Sequence, residues 1–202
     1  FLYEKLEQST TSPEISRLKF YPLAAGGRLD QLNELAEKSD DKALQDLIMT
    51  HLLTSKTDYK GIERHFSNVK SADDWGLLDQ YLMIYATALR KNGNEKDAEQ
   101  LAIKVREEFA HSDAYLRAQL LVYSGRIDEG LALLESIDIG SFNLTLCSIN
   151  PVFDKVRKDP RFNHFLERNR NRIIDRRERI LQLENGGYLP RPEDYFKFNA
   201  DI

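Results

Sequence analysis

The chain is predicted to be all-α: a right-handed α-α superhelix of about four helix hairpins, closed by a long C-terminal helix and an extended tail. Three observations lead there. Apolar residues recur at spacings of three and four almost throughout the 202 residues, which is the period of a helix. Alternating strand patterns are nearly absent; Ile137-Asp138-Ile139 is the best candidate and is too brief to found a sheet. Third, a pattern of small residues and glycine occurs twice, as Ala86, Gly93 and Ala98 and then, 32 residues on, as Ala118, Gly125 and Gly130. Each copy reads as helix, tight glycine turn, helix, with small residues where two helices cross closely. Repeats of about 34 residues built this way mark helical-hairpin solenoids.

The elements follow in order. A first helix is expected over Pro13–Ala25, with Ser12 as N-cap, Pro13 at its first position and Pro22 set to end or kink it. Gly26-Gly27 turns the chain into a helix carrying Leu29, Leu32, Leu35 and Ala36. Asp40 can cap a third, striped with Leu44, Leu47, Ile48, His51 and Leu52, and a fourth starts near Asp58 with Ile62 and Phe66. Residues 1–72 thus read as two degenerate hairpins. In 73–140 two clear ones follow. Asp73 or Asp74 caps a helix running through Leu77, Tyr81, Leu82 and Leu89, and Asn92-Gly93 ends it. Residues 96–109 return. Ser112 or Asp113 caps the next helix, and Gly125 turns it into the one bearing Ile127, Leu131, Leu134 and Ile137.

These two repeats resemble the tetratricopeptide (TPR) family. The family's small residue in the first helix matches Ala86 and Ala118, its turn glycine Gly93 and Gly125, and its small residue early in the second helix Ala98 and Gly130. The family's first-helix Trp stands as Leu82 in one copy and Ala114 in the other, and the terminal Pro is missing from both. A second resemblance begins at Asn150. The run from Pro151 to Leu166, with Phe153, Val156, Asp159-Pro160, Phe162 and Phe165, is similar to a closing segment of many bacterial proteins. In those, TPR-like repeats follow a signalling head such as a winged-helix DNA-binding domain, a nucleotide cyclase or a kinase. The resemblance implies a regulatory module that binds a protein, a peptide or a small effector.

Residues 141–185 read as this closing segment and a long helix over 160–184, which Gly186-Gly187 stops. Leu166, Ile173 and Ile180 lie seven apart, a heptad-like seam. The tail, 186–202, has two prolines and an aromatic cluster that includes Tyr195 and Phe196, and it is expected to dock on the solenoid or on a second subunit. Leu166, Ile173, Ile180, Tyr195 and Phe196 are therefore the candidate dimer or docking residues. Between Asp154 and Arg179 ten Lys or Arg face five acids, a local +5 in a chain of net charge −4. Arg168, Arg172, Arg176 and Arg179 are the candidate basic face. It is read either as a phosphate-binding surface or, the favoured reading, as a solvated face whose arginines pair with acids. Tyr81, Tyr85, Arg117 and Tyr123 are the candidate groove residues, since first helices line the groove of a TPR-like fold and Tyr and Arg make good hot spots; the favoured reading is that tyrosines at helical spacing belong to the core.

Composition narrows the rest. Hydrophobic and charged fractions of 41% and 31% fit a soluble, folded, charge-rich protein, and the net charge argues against a general polyanion binder. The single cysteine, Cys147, rules out an internal disulfide framework and a cysteine-rich zinc site. Beside Leu146 and Ile149 it is expected to be a buried, inert thiol. No stretch approaches the ~20 apolar residues of a membrane span. His51, His65, His111 and His164 are scattered without ligand spacing. No catalytic, metal or cofactor site is expected. A homodimer through the C-terminal helix is the alternative function, and nucleic-acid binding the less favoured one. The chain opens at Phe1, not Met, and is expected to be a piece of a longer protein. Its compartment stays open, the cytoplasm slightly favoured and the periplasm allowed by an upstream anchor.

Overall fold

The computed structural model describes residues 13–68, 81–108 and 113–188. Among them there is no strand, and the elements are helices α1 (Pro13–Ala25), α2 (Leu29–Lys38), α3 (Lys42–Ser55), α4 (Tyr59–Ser67), α5 (Leu82–Lys91), α6 (Glu95–Glu108), α7 (Ala114–Tyr123), α8 (Ile127–Ser136), α9 (Ser141–Ile149) and α10 (Pro160–Asn185), with a 3₁₀ turn at Pro151–Lys155. Helix α1 runs through Pro22 to Ala25, so the proline does not end it. The expected caps Ser12, Asp73, Asp74 and Ser112 lie outside the described residues.

The first eight helices form four hairpins that share one turn. In each, the first helix ends on a residue of positive φ: Gly27 (64°), Thr57 (53°), Gly93 (90°) and Gly125 (83°). The same pair of backbone bonds closes each turn. Gly93 N–H donates to the Arg90 carbonyl at 3.2 Å and Asn94 N–H to that of Leu89 at 2.9 Å; Gly125 and Arg126 do the same to Val122 and Leu121 at 3.1 and 2.9 Å. Gly27 with Arg28, and Thr57 with Asp58, repeat it. This is the left-handed helix stop that satisfies carbonyls otherwise left unpaired. At α3, α4 and α7 the start is set by a side chain. Asp41 accepts from the Ala43 and Leu44 amides, Asp58 from Gly61 and Asp113 from Tyr115 and Leu116. The cap of α3 is therefore Asp41 and not Asp40: only the residue immediately before the helix can reach its first free amides.

Within a hairpin the helices touch through small residues. Ala86, Ala98 and Ala118 are wholly buried. A Cβ on Gly130 would lie 2.7 Å from Val122 Cγ2 and 3.2 Å from the Ala118 carbonyl oxygen, so α7 and α8 cross closely there. The first helices also touch one another, α1 against α3 and α5 against α7.

The segment after α8 was the least legible. Ile137–Ile139 does not pair as a strand. It is an extended linker whose backbone is held by α10 side chains. Helix α9 was not anticipated at all. It packs on α1, and the 3₁₀ turn that follows packs on α5 and α7. Asn150 starts that turn by accepting from the Val152 amide at 2.9 Å, and Asp159 caps α10 ahead of Pro160, as the sequence predicts. Helix α10 has 26 residues, Asn169 is its last buried one and Arg172 still binds the linker. At 1.5 Å per residue, about 20 Å of helix continues past that contact.

Two substitutions test this geometry with opposite signs. Thr57 is exposed and holds φ = 53° with a β-branched side chain. Thr57→Gly should stabilise the fold by about 0.5–1 kcal/mol, relief of left-handed strain exceeding the entropy glycine adds to the unfolded chain. Gly130→Ala should instead cost about 1–2 kcal/mol despite alanine's better helix propensity, because the helices must part. Urea unfolding of both proteins measures the difference.

Candidate interaction site

The face formed by the first helices is the natural place to seek a binding groove. Its own chain fills it. Phe142 of α9 sits in a nest of rings, 5.5 Å from Phe20 and 5.1 Å from Tyr21 of α1, 6.4 Å from His51 of α3 and 6.4 Å from Tyr81 at the start of α5. Further along, Phe153 of the 3₁₀ turn lies 6.2 Å from Tyr115 of α7 and 5.1 Å from Phe162 of α10. Edge-on and tilted ring pairs of this kind add to simple area burial.

Polar groups on this face are paired across the seam. His51 Nδ1 and the Tyr81 hydroxyl are 2.8 Å apart, and both residues are buried. The Cys147 thiol donates to the Tyr115 hydroxyl at 3.3 Å. Asn150 Nδ2 donates to Gln119 Oε1 at 2.7 Å, with both residues buried. Burial pushes the Cys147 thiol up to about 12 and the His51 imidazole down to about 4. Both groups are therefore neutral parts of the core near neutral pH.

Of the groove candidates, then, the structure brings few together. Tyr81 is wholly buried against His51 and Phe142. Tyr85 is half-buried and stacks on Phe66 of α4 at 4.5 Å. Tyr123 is buried, with the Arg90 guanidinium 3.8 Å above its ring. These three tyrosines are packed within the fold, as the core reading has it, and do not form one open groove with Arg117: helical spacing marks an apolar face without saying what covers it.

Arg117 is exposed and stands elsewhere. With Arg106 of α6 and Arg126 at the start of α8 it lines a cleft of about 330 Å³, whose wall is Leu120 and Leu121 and whose rim includes Ser124 and Glu129. Arg126 Nε donates to Glu129 Oε1 at 2.7 Å. Among the described residues no ion pair engages Arg106 or Arg117. Three guanidiniums thus meet one carboxylate beside an apolar wall, a donor set suited to a bidentate oxyanion. Sequence reasoning missed Arg106 and Arg126, since only the hairpin packing brings three helices to one place.

The basic face divides in two. Arg168 donates to the carbonyls of Glu135 and Ile137, the latter at 2.6 Å, and Arg172 to that of Ile139 at 2.6 Å while pairing with Asp138. Between them Asn169, wholly buried, accepts from the Ile139 amide at 2.9 Å and donates to the Phe165 carbonyl. Arg157 holds the carbonyls of Cys147, Ser148 and Asn150, and Arg161 bridges Asp159 and Asp128. These four arginines stitch the linker, α9 and α8 to α10. Arg176 and Arg179 are exposed, and among the described residues no ion pair engages them.

The docking candidates also divide. Leu166 packs on the core and Ile173 is half-buried, whereas Ile180 is 49% exposed. Ile174 and Leu181, which the heptad spacing did not single out, are 46% and 47% exposed. Tyr195 and Phe196 lie outside the described residues. Among those described, no group of His, Cys, Asp and Glu is arranged to hold a metal ion, and no helix is long and apolar enough to cross a membrane.

Two measurements check the buried seam. His51 binds a proton in the unfolded chain near pH 6.5 and in the folded one only near 4. Its contribution is complete above about pH 6.5 and fades as the pH falls toward 4, by up to about 3 kcal/mol. A His51→Asn variant, unable to titrate, should lose that part of the stability difference between pH 7 and pH 4.5. Cys147 should react with a thiol reagent only at the rate of unfolding; a fast reaction in native buffer would contradict its burial.

In comparisons with known proteins, the chain matches no family model, and no curated sequence or solved structure is similar enough to count as a match.

Proposed function

We propose that the chain is a non-enzymatic interaction module, the regulatory or sensor part of a larger bacterial signalling protein, with a transcription regulator among its candidate parents. In this reading the hairpins form a TPR-like right-handed superhelix, and the first-helix face is its concave side. The shared turn, the small residues at the crossings and the contacts between first helices support that reading.

With the concave side occupied by α9 and the 3₁₀ turn, the binding surface moves to the cleft of Arg106, Arg117 and Arg126, and this cleft is the observation that carries the proposal. Its chemistry suits an effector or peptide end that bears a carboxylate or phosphate next to an apolar group. Volumes of this size hold small ligands. Backbone amide shifts on titration with hexanoate and with phenyl phosphate test it. Expected are shifts confined to α6, α7 and the start of α8, abolished in the Arg106→Ala/Arg117→Ala double variant. Shifts that scatter over the surface, or that survive in the variant, would remove the effector reading.

Assembly through α10 is the second reading, favoured by the half-exposed Ile174, Ile180 and Leu181 on helix that has left the body. Nucleic-acid binding by the same helix is less favoured, because Arg157, Arg161, Arg168 and Arg172 are spent on carbonyls and carboxylates of the chain itself.

A further inference from the structure

The projecting half of α10 has an internal symmetry that commits it to one partner. Ile173, Ile174, Ile180 and Leu181, with Arg177 at their centre, are spaced one, three, three and one, which keeps them on one side of a helix. Helix α10 packs on its own body through Phe162, Phe165 and Asn169. The face in question is turned by roughly a quarter of a circle from that row, so it is free to meet another surface.

Reading outward from Arg177 in both directions, the residues on this face meet their complements. Ile174 is matched by Ile180, Ile173 by Leu181 and, at the ends, Arg170 by Glu184. Apolar residues are set opposite apolar ones, and Arg170 opposite its counter-charge. A sequence of this kind is self-complementary when two copies run antiparallel about a twofold axis, since residue 177+k of one then faces 177−k of the other.

We infer that α10 pairs with the α10 of a second copy of this chain, antiparallel and centred on Arg177. This rests on the assembly reading above and deepens it. Ile173 faces the partner's Leu181 and Ile174 the partner's Ile180, so the half-exposed Ile174, Ile180 and Leu181 of both copies are covered. Arg170 pairs with the partner's Glu184 at both ends. In a parallel pair the seam would align instead by heptad, Ile173 with Ile173 and Ile180 with Ile180, and the match of Arg170 to Glu184 would not form. The two Arg177 side chains face each other at the axis and are the only like charges brought together among these matched pairs. The two bodies leave from opposite ends of the paired helices, which keeps them apart.

Light scattering and cysteine crosslinking of the full chain test the inference. Cys147 is wholly buried, so introduced thiols report alone. Wild type should shift from one to two chains in mass as its concentration rises. Under mild oxidation Arg177→Cys should crosslink to itself. Ile174→Cys and Ile180→Cys should crosslink to each other when mixed, and neither to itself. Arg170→Glu and Glu184→Arg should each weaken the dimer about two- to tenfold, and the double variant should restore it. Arg177→Leu, which removes the like-charge contact, should tighten it at least about threefold. A mass of one chain at every concentration would sink the assembly reading and this geometry with it. A dimer in which Ile174→Cys links to itself, or which the charge exchange fails to restore, would overturn the antiparallel pairing alone.

Discussion

One constraint governs the architecture: the apolar face made by the first helix of each hairpin has to be covered. Hairpins that present Phe20, His51, Tyr81 and Tyr115 in a row cannot leave those rings in water. The chain answers with its own residues 141–156. Phe142 closes one end of the row and Phe153 the other, and the segment between them supplies Cys147 and Asn150 to the hydroxyl and amide groups that the face also carries. A partner ligand on this face would have to displace a ring-packed segment that is also hydrogen-bonded to the face through Cys147 and Asn150. Buried polar groups that lose their partners are expensive, so the face is core and not vacancy.

Bringing that segment into place creates a second need. The linker between α8 and α9 crosses in extended form and cannot satisfy its own amides and carbonyls. Helix α10 does so with side chains spaced four apart, Arg168 and Arg172, and with Asn169 between them. Arg157 does the same for the last carbonyls of α9. Planar, multi-donor guanidiniums suit this task better than lysine, because one side chain can serve two carbonyls. Part of the positive charge that looks in the sequence like a polyanion surface is thus explained by backbone hydrogen bonding.

How much of this could be read beforehand follows the same division. The turns at Gly93 and Gly125 were legible because glycine is the residue a left-handed stop demands. The equivalent turn at Thr57 was not, since threonine hides the same backbone behind an unfavourable side chain. The cap before Pro160 was legible from Asp-Pro order, while Asp40 and Asp41 differ only in which of them reaches an amide. Helix α9 was missed because Ser141–Ile149 has no charged face and no striking period; its helicity is imposed by the surface it fills. Tyr81, Tyr85 and Tyr123 were correctly placed on helices, but periodicity could not say that a histidine, a phenylalanine and an arginine already cover them. The cleft at Arg106 and Arg126 was invisible for a different reason, being assembled from three helices of which only one was under suspicion.

The two surfaces left open are joined by α8. Its first turn carries Arg126 and Glu129 on the rim of the arginine cleft, and between them Asp128 reaches across to Arg161 at the start of α10. Further along, the carbonyls at the end of the same helix are held by Arg168. Helix α8 is thus tied to α10 at both ends while forming one wall of the cleft. The wall of the cleft and the base of the projecting arm therefore share one helix.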